Sequence, residues 1–261
     1  MGVRTIVLLG AAAAAGQAQL AAPNAAGAAM GHLHLLVKDV AAHRRLWVEG
    51  LGAQPVRLGP MELLQFPGVF VALREGEPAG GSEGSTVNHL GFAVRDLRAA
   101  EERWKAAGGE VYPVRPNPNQ VFLRFPDGVK VELTEIPALE VPIAHHHVHF
   151  YTASVEETRA WYVKTFGAVP GRRGKFEAAD IPGANLSFSE AKGAAAGTRG
   201  RAVDHIGFEI KGLKAFCEKL EAQGVRFDRP YQFIDRLGIH VAFLTDPWGT
   251  YIELTEGLGG L

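Results

Sequence analysis

The chain has 261 residues, 47% of them apolar and 21% charged, with a formal net charge of −1. That is the balance of a folded soluble protein of one large domain or two ordinary ones. A near-neutral chain with no long basic run lacks the electrostatic footprint of a nucleic-acid binder.

The first residues read as a targeting segment. One positive charge at Arg4 precedes the apolar run Thr5–Ala15, which is too short to span a bilayer, and small residues at Gly16 and Ala18 mark a cleavage site. Residues 1–18 are therefore expected to be a signal peptide, and the mature chain is expected to be periplasmic or extracellular. The alternative is an Ala-rich tail. No cysteine follows the apolar run, which argues against a lipid anchor. Residues 19–29 (QLAAPNAAGAA) are expected to be a flexible tether.

The first folded segment, MGHLHLLV, places His32 and His34 two apart in a strand, so both side chains share one face. An amphipathic helix over residues 40–52 follows, then short strands split by Gly and Pro (MELLQFPGVFVALREG). A Gly-rich loop over residues 75–85, read as mobile, leads to a second strand, HLGFAV, carrying His89. A second helix spans residues 97–109, and the strands of QVFLRFPDGVKVELTEI carry Glu132.

The same order then recurs. HHVHFYT carries His147 and His149, a helix spans residues 155–167, and a second Gly-rich loop covers residues 190–201. HIGFEI carries His205, a helix spans residues 213–224, and GIHVAFLTDPWGTYIE carries His240 and Glu253. In the last helix the only cysteine, Cys217, shares an apolar face with Leu213, Phe216 and Leu220, so it reads as a small core residue. Residues 32 and 147 align at an offset of 115, and residues 89 and 205 at 116. The chain is thus two copies of one module, residues 30–137 and 143–258, joined by a linker at 138–142, and each module is two strand–helix–strands units.

Tandem βαβββ units with His on the first strand of each unit, and a closing turn-then-Glu strand, resemble the vicinal oxygen chelate superfamily of glyoxalases, bleomycin- and fosfomycin-resistance proteins and extradiol dioxygenases. The resemblance covers residues 30–258 and implies an α+β fold of two tandem modules. In each, paired units form a curved mixed sheet around a metal site.

The residues reach the metal by their own route. His32, His89 and Glu132 recur as His147, His205 and Glu253. Two imidazoles and one carboxylate on a concave sheet form a facial set that leaves positions open for a chelating substrate or oxygen. Which unit pairs with which stays open, because ligands can come from different modules. His34 and His149, in phase with the ligands, are candidate catalytic groups that move a proton or steady an oxyanion. Family relatives often carry a fourth ligand, but its place falls on Ala72 and Ser187, so a three-ligand site is expected. Glu75, Glu190, Glu135 and Glu256 should face away from the cup. The ring-cleaving branch carries a His and a Tyr before the last turn. Here His240 is the candidate catalytic residue, while Phe243 stands at the tyrosine's place.

The reading that follows is an exported glyoxalase- or dioxygenase-type metalloenzyme that binds a small substrate through vicinal oxygens, with dioxygenase slightly favoured over isomerase or lyase. The expected cofactor is a divalent metal, Fe2+ favoured, with Mn2+, Zn2+ or Ni2+ as alternatives. The expected partner is a small-molecule substrate, without nucleic acid and without membrane after signal cleavage, and the chain is expected to be a monomer or homodimer. A different class of function is a non-catalytic, bleomycin-resistance-like binding protein. A third reading keeps one live module, module two, because it holds His240 and the Asp-Pro turn.

Overall fold

The computed structural model describes residues 20–115 and 117–261, so the expected signal peptide lies outside the described residues. Four repeats of one unit follow. Unit one is β1 (Ala28–Val37), α1 (Val40–Arg45), β2 (Gln54–Leu58), β3 (Met61–Phe66) and β4 (Val69–Glu75). Unit two is β5 (Val87–Val94), α2 (Leu97–Ala106), β6 (Glu110–Val111), β7 (Gln120–Arg124) and β8 (Lys130–Glu135). Unit three is β9 (Ile143–Thr152), α3 (Val155–Phe166), β10 (Val169–Arg173), β11 (Phe176–Ile181) and β12 (Ala184–Glu190). Unit four is β13 (Val203–Ile210), α4 (Leu213–Ala222), β14 (Phe227–Ile234), β15 (Ile239–Thr245) and β16 (Tyr251–Glu256). The helix expected over residues 40–52 is α-helical only to Arg45 and widens into a π-helical turn over Leu46–Gly50.

The strands form two eight-stranded sheets, ordered β14-β15-β16-β13-β1-β4-β3-β2 and β10-β11-β12-β9-β5-β8-β7-β6. The sequence left the pairing of units open, and here it is crosswise. Unit one joins unit four, through antiparallel β1 and β13. Unit two joins unit three, through antiparallel β5 and β9. Each cup is therefore built from both sequence modules, and one chain completes both.

One local device repeats on the four histidine strands. Met30 pairs with Phe208 but His32 pairs with Gly207, so Gly31 is an extra residue in β1. The same count makes Asp204 extra in β13, Asn88 extra in β5 and His146 extra in β9. A β-bulge of this kind re-aims the side chains that follow it. In β1 the core residues are Ala28 and Met30 before the bulge but Leu33, Leu35 and Val37 after it. His32 and His34 are thereby turned to the other face. That other face of the first sheet carries a separate apolar lining that includes Leu58, Leu63, Phe70, Val241 and Phe243. The main core holds the helix residues Trp47, Trp104, Tyr162, Phe166 and Phe216, and Cys217 lies in it as expected.

Two expectations of looseness are corrected. Of the segment read as a tether, residues 20–29 are described, and Asn24 fastens them. Its side-chain amide donates to the Phe166 and Gly167 carbonyls at the end of α3, and its oxygen accepts from Ala26 and Ala28. Residues 28 and 29 already belong to β1. The Gly-rich loops expected to be mobile hydrogen-bond to each other. Ala79 donates to Gly200 and Ala202 to Gly80, while Thr86 donates to Ala196 and Ala196 to Gly84. Each loop supplies the backbone partners that the other lacks.

Asn24→Ala removes four hydrogen bonds at once and leaves two helix-end carbonyls without this partner. It is expected to lower stability by about 1–2 kcal/mol, read as a shift in the urea midpoint at unchanged slope.

Candidate metal centre

The crosswise pairing sets the ligands. In the first sheet His32, Gly207 and Glu253 lie in one row across β1, β13 and β16. Two strand spacings separate the backbones of His32 and Glu253 by about 10 Å, so their side chains can meet only over the middle residue. That residue is glycine, and a Cβ built on Gly207 would lie 2.0 Å from the His32 ring. In the second sheet His147, Gly91 and Glu132 repeat the row, and a Cβ on Gly91 would lie 2.0 Å from the His147 ring. This accounts for glycine two residues after His89 and His205, where the other two histidine strands carry His34 and His149.

In the first cup Glu253 Oε2 lies 3.0 Å from His32 Nε2 and 2.9 Å from His205 Nε2. His34 sits against His205, with ring centroids 4.4 Å apart, and its Nε2 is buried without a hydrogen-bond partner. His32 Nδ1 is likewise buried and unpartnered. His205 Nδ1 lies 2.6 Å from Asp204 Oδ1, and Asp204 in turn accepts from the Gly200 amide. Burial disfavours the His205 cation, but the hydrogen bonds it donates to Asp204 and Glu253 outweigh it and raise the pKa. Burial also works against the Glu253 carboxylate, yet His32 and His205 hold its pKa well below the usual range. Burial, then His205 and His32, push His34 well down.

His32, His34, His205 and Glu253 present donor atoms within 4.8 Å of one another. They lie on a cavity of about 540 Å³. Its walls are apolar at Leu58, Met61, Leu63, Ile239 and Phe243, and four arginines line it, Arg74, Arg199, Arg229 and Arg236. Imidazoles and a carboxylate converging on one point, with buried nitrogens that lack partners, fit a divalent ion.

The second cup has the same triad but different neighbours. His89 Nε2 is 3.2 Å from Glu132 Oε2, whereas His147 Nε2 is 3.9 Å from Glu132 Oε1 and 3.4 Å from His89 Nε2. Glu132 Oε1 accepts from Gln120 and from Thr134, each at 2.8 Å, and lies 3.5 Å from the Arg173 guanidinium. Arg173 also donates to Ser187 Oγ at 2.7 Å and lies 3.3 Å from His149 Nδ1, while His149 Nε2 meets Ser189 Oγ at 2.8 Å. Burial, then His89 and Arg173, push the His149 pKa down to about 2.

The triads thus assemble across the modules, a pairing the sequence left open. His32 joins His205 and Glu253, and His147 joins His89 and Glu132. His240 is a correction. Ile239 and Phe243 line the cavity and His240 does not, because alternation turns it outward, where its ring stacks on Tyr231 at 5.2 Å. Glu135 and Glu256 point away as expected and accept from the first amides of α2 and α4. Sequence reasoning passed over Asp204, Arg173, Gln120 and the four arginines. Strict alternation puts Asp204 opposite His205, and only the bulge reverses this. The usable signal lay in comparing the copies, where Asp204 aligns with Asn88 and Arg173 with Leu58.

Gly207→Ala and Gly91→Ala are each expected to cost about 1–3 kcal/mol through overpacking. The check is the denaturant midpoint together with the shift of the His32 or His147 ring signals by NMR.

Residues 144–254 match the family model described as Glyoxalase/Bleomycin resistance protein/Dioxygenase superfamily. Lactoylglutathione lyase of Pseudomonas aeruginosa is 39% identical over 56 residues, which cover 22% of this chain and only 30% of that protein. Glyoxalase I from Zea mays superposes with a TM-score of 0.71 at 17% identity, over 89% of this chain and 94% of its own. A putative dioxygenase from Bacillus subtilis superposes with a TM-score of 0.67 at 13% identity, over 91% and 86%. The family match thus covers residues 144–254, and the superposition on glyoxalase I shows the same tandem fold through both halves of the described chain.

Proposed function

We propose that the first cup is the active site of a divalent-metal enzyme acting on a small anionic substrate through two adjacent oxygens. The observation that carries this reading is Glu253 Oε2 shared between His32 and His205 at the floor of an open cavity. His32, His205 and Glu253 hold the ion, and Asp204 orients His205 and raises its basicity, as outer carboxylates do for ligating imidazoles. The ion supplies Lewis acidity to an oxyanion or enolate. The arginines around the cavity attract and orient an anionic group, and the apolar walls take the rest of the molecule. His34, which lines this space, is placed to exchange a proton with the substrate carbon or oxygen.

Proton transfer next to a carbonyl, the chemistry of an isomerase or lyase, is favoured over ring cleavage. The sequence leaned the other way on the three-ligand set, and His240, the candidate catalytic residue of module two, lies outside the cup. The dioxygenase reading keeps one support, the three-ligand set with Ala72 at the fourth position. It goes with Fe2+, whereas Mn2+, Zn2+ or Ni2+ suit proton transfer. A purely sequestering protein would not need two imidazoles brought onto one buried carboxylate. Export rests on the sequence pattern of residues 1–18.

Lactoylglutathione, named by the curated relative, is a first compound to try. Metal-loaded protein in deuterium oxide is expected to exchange the proton next to its thioester carbonyl, followed by NMR. Glu253→Gln and His32→Ala should lower the rate at least 100-fold, and His34→Ala should lower kcat more than it raises KM. Oxygen uptake with catechols and no exchange would transfer the assignment to a dioxygenase. Expression in a secreting host is expected to give a mature chain starting at Gln19, read by N-terminal sequencing.

A further inference from the structure

We infer that the second cup holds no metal, because Arg173 supplies a built-in cation in its place. The inference builds on the metal site proposed for the first cup.

The two cups share the triad, so what differs must lie around it. Three positions change in register. Leu58 in the first cup becomes Arg173 in the second, Ala72 becomes Ser187, and Val241 becomes Gln120. In the first cup these residues are apolar and leave Glu253 with imidazole partners. Thr255, matching Thr134, turns its hydroxyl to Glu209. In the second cup all three are polar, and all three act on the triad. Gln120 and Thr134 donate to Glu132, and Ser187 anchors Arg173 through its Nε. The guanidinium then spans the space between Glu132 and His149, with its side chain only 16% exposed.

A metal must displace these donors, and it would sit beside a fixed positive charge in a buried site where screening is weak. An arginine stays protonated there, so the repulsion is permanent. His89, His147 and His149 still bring one nitrogen each within 4.8 Å of one another, but that set leaves out Glu132, and each ring has a further partner of its own. His149 is held by Ser189 and Arg173, and His147 Nδ1 lies 2.9 Å from His146 Nδ1. His89 has the Asn88 amide at 2.9 Å, where His205 has the Asp204 carboxylate. Each replacement lowers the pull on a dication. Arg173 satisfies the buried Glu132 instead, as a metal would.

The test is manganese content per chain after loading and desalting, by elemental analysis, with thermal melting of the stripped proteins. Wild type and Glu132→Gln should each carry one equivalent, Glu253→Gln none, and Arg173→Met two. Stripped Arg173→Met should melt below wild type, because Glu132 loses its cation, and manganese should restore it. Two equivalents in wild type, falling to one in Glu132→Gln, would overturn the inference. So would a folded Arg173→Met that stays at one. If Arg173→Met does not fold, Glu132→Gln decides. No manganese in wild type defeats the first-cup reading alone, since a gain of one equivalent in Arg173→Met still reports on the second cup.

Discussion

Everything at the site depends on one extra residue before each strand histidine. Gly31, Asn88, His146 and Asp204 bulge out of their ladders, and each bulge shifts the following histidine from the core face to the cup face. Without the bulge, alternation along β1 would bury His32 among the helices and send Leu33 into the cup. The bulge also brings Asp204 beside His205 although the two are sequence neighbours. Backbone geometry thus sets both the ligand and the group that orients it.

The second constraint is glycine opposite the imidazole. Antiparallel pairing of β1 with β13 and of β9 with β5 would place two side chains at one point, and only glycine at 207 and 91 leaves room for His32 and His147 to reach the carboxylate strand. Each cup needs one strand that supplies a long side chain and one that gives way to it, and β1 with β13 and β5 with β9 provide that match. The two loops that hydrogen-bond to each other then tie the cups into one body.

Much of this was legible in the chain. The repeat, the four units, the helices and the six triad residues follow from periodicity and from recurrence of His and Glu. The crosswise pairing was not, because both pairings satisfy the same strand pattern. The inequality of the cups was hidden for a different reason. It lies in Leu58, Ala72 and Val241 against Arg173, Ser187 and Gln120, residues ordinary in themselves that gain meaning only once their neighbours in space are known. His240 misled because its place near the last turn resembled a known pattern, while strand alternation already pointed it outward. The tether failed as a reading because Ala-rich composition does not reveal one asparagine docked on a helix end.

The central claim is that one chain builds two matching triads and keeps only one for a metal. Anomalous diffraction at the manganese edge, from crystals grown with the ion in excess, tests it most directly. The account expects one strong peak, between His32, His205 and Glu253, and the Arg173 guanidinium still beside Glu132. A peak between His89, His147 and Glu132, or no peak in either cup, would contradict it.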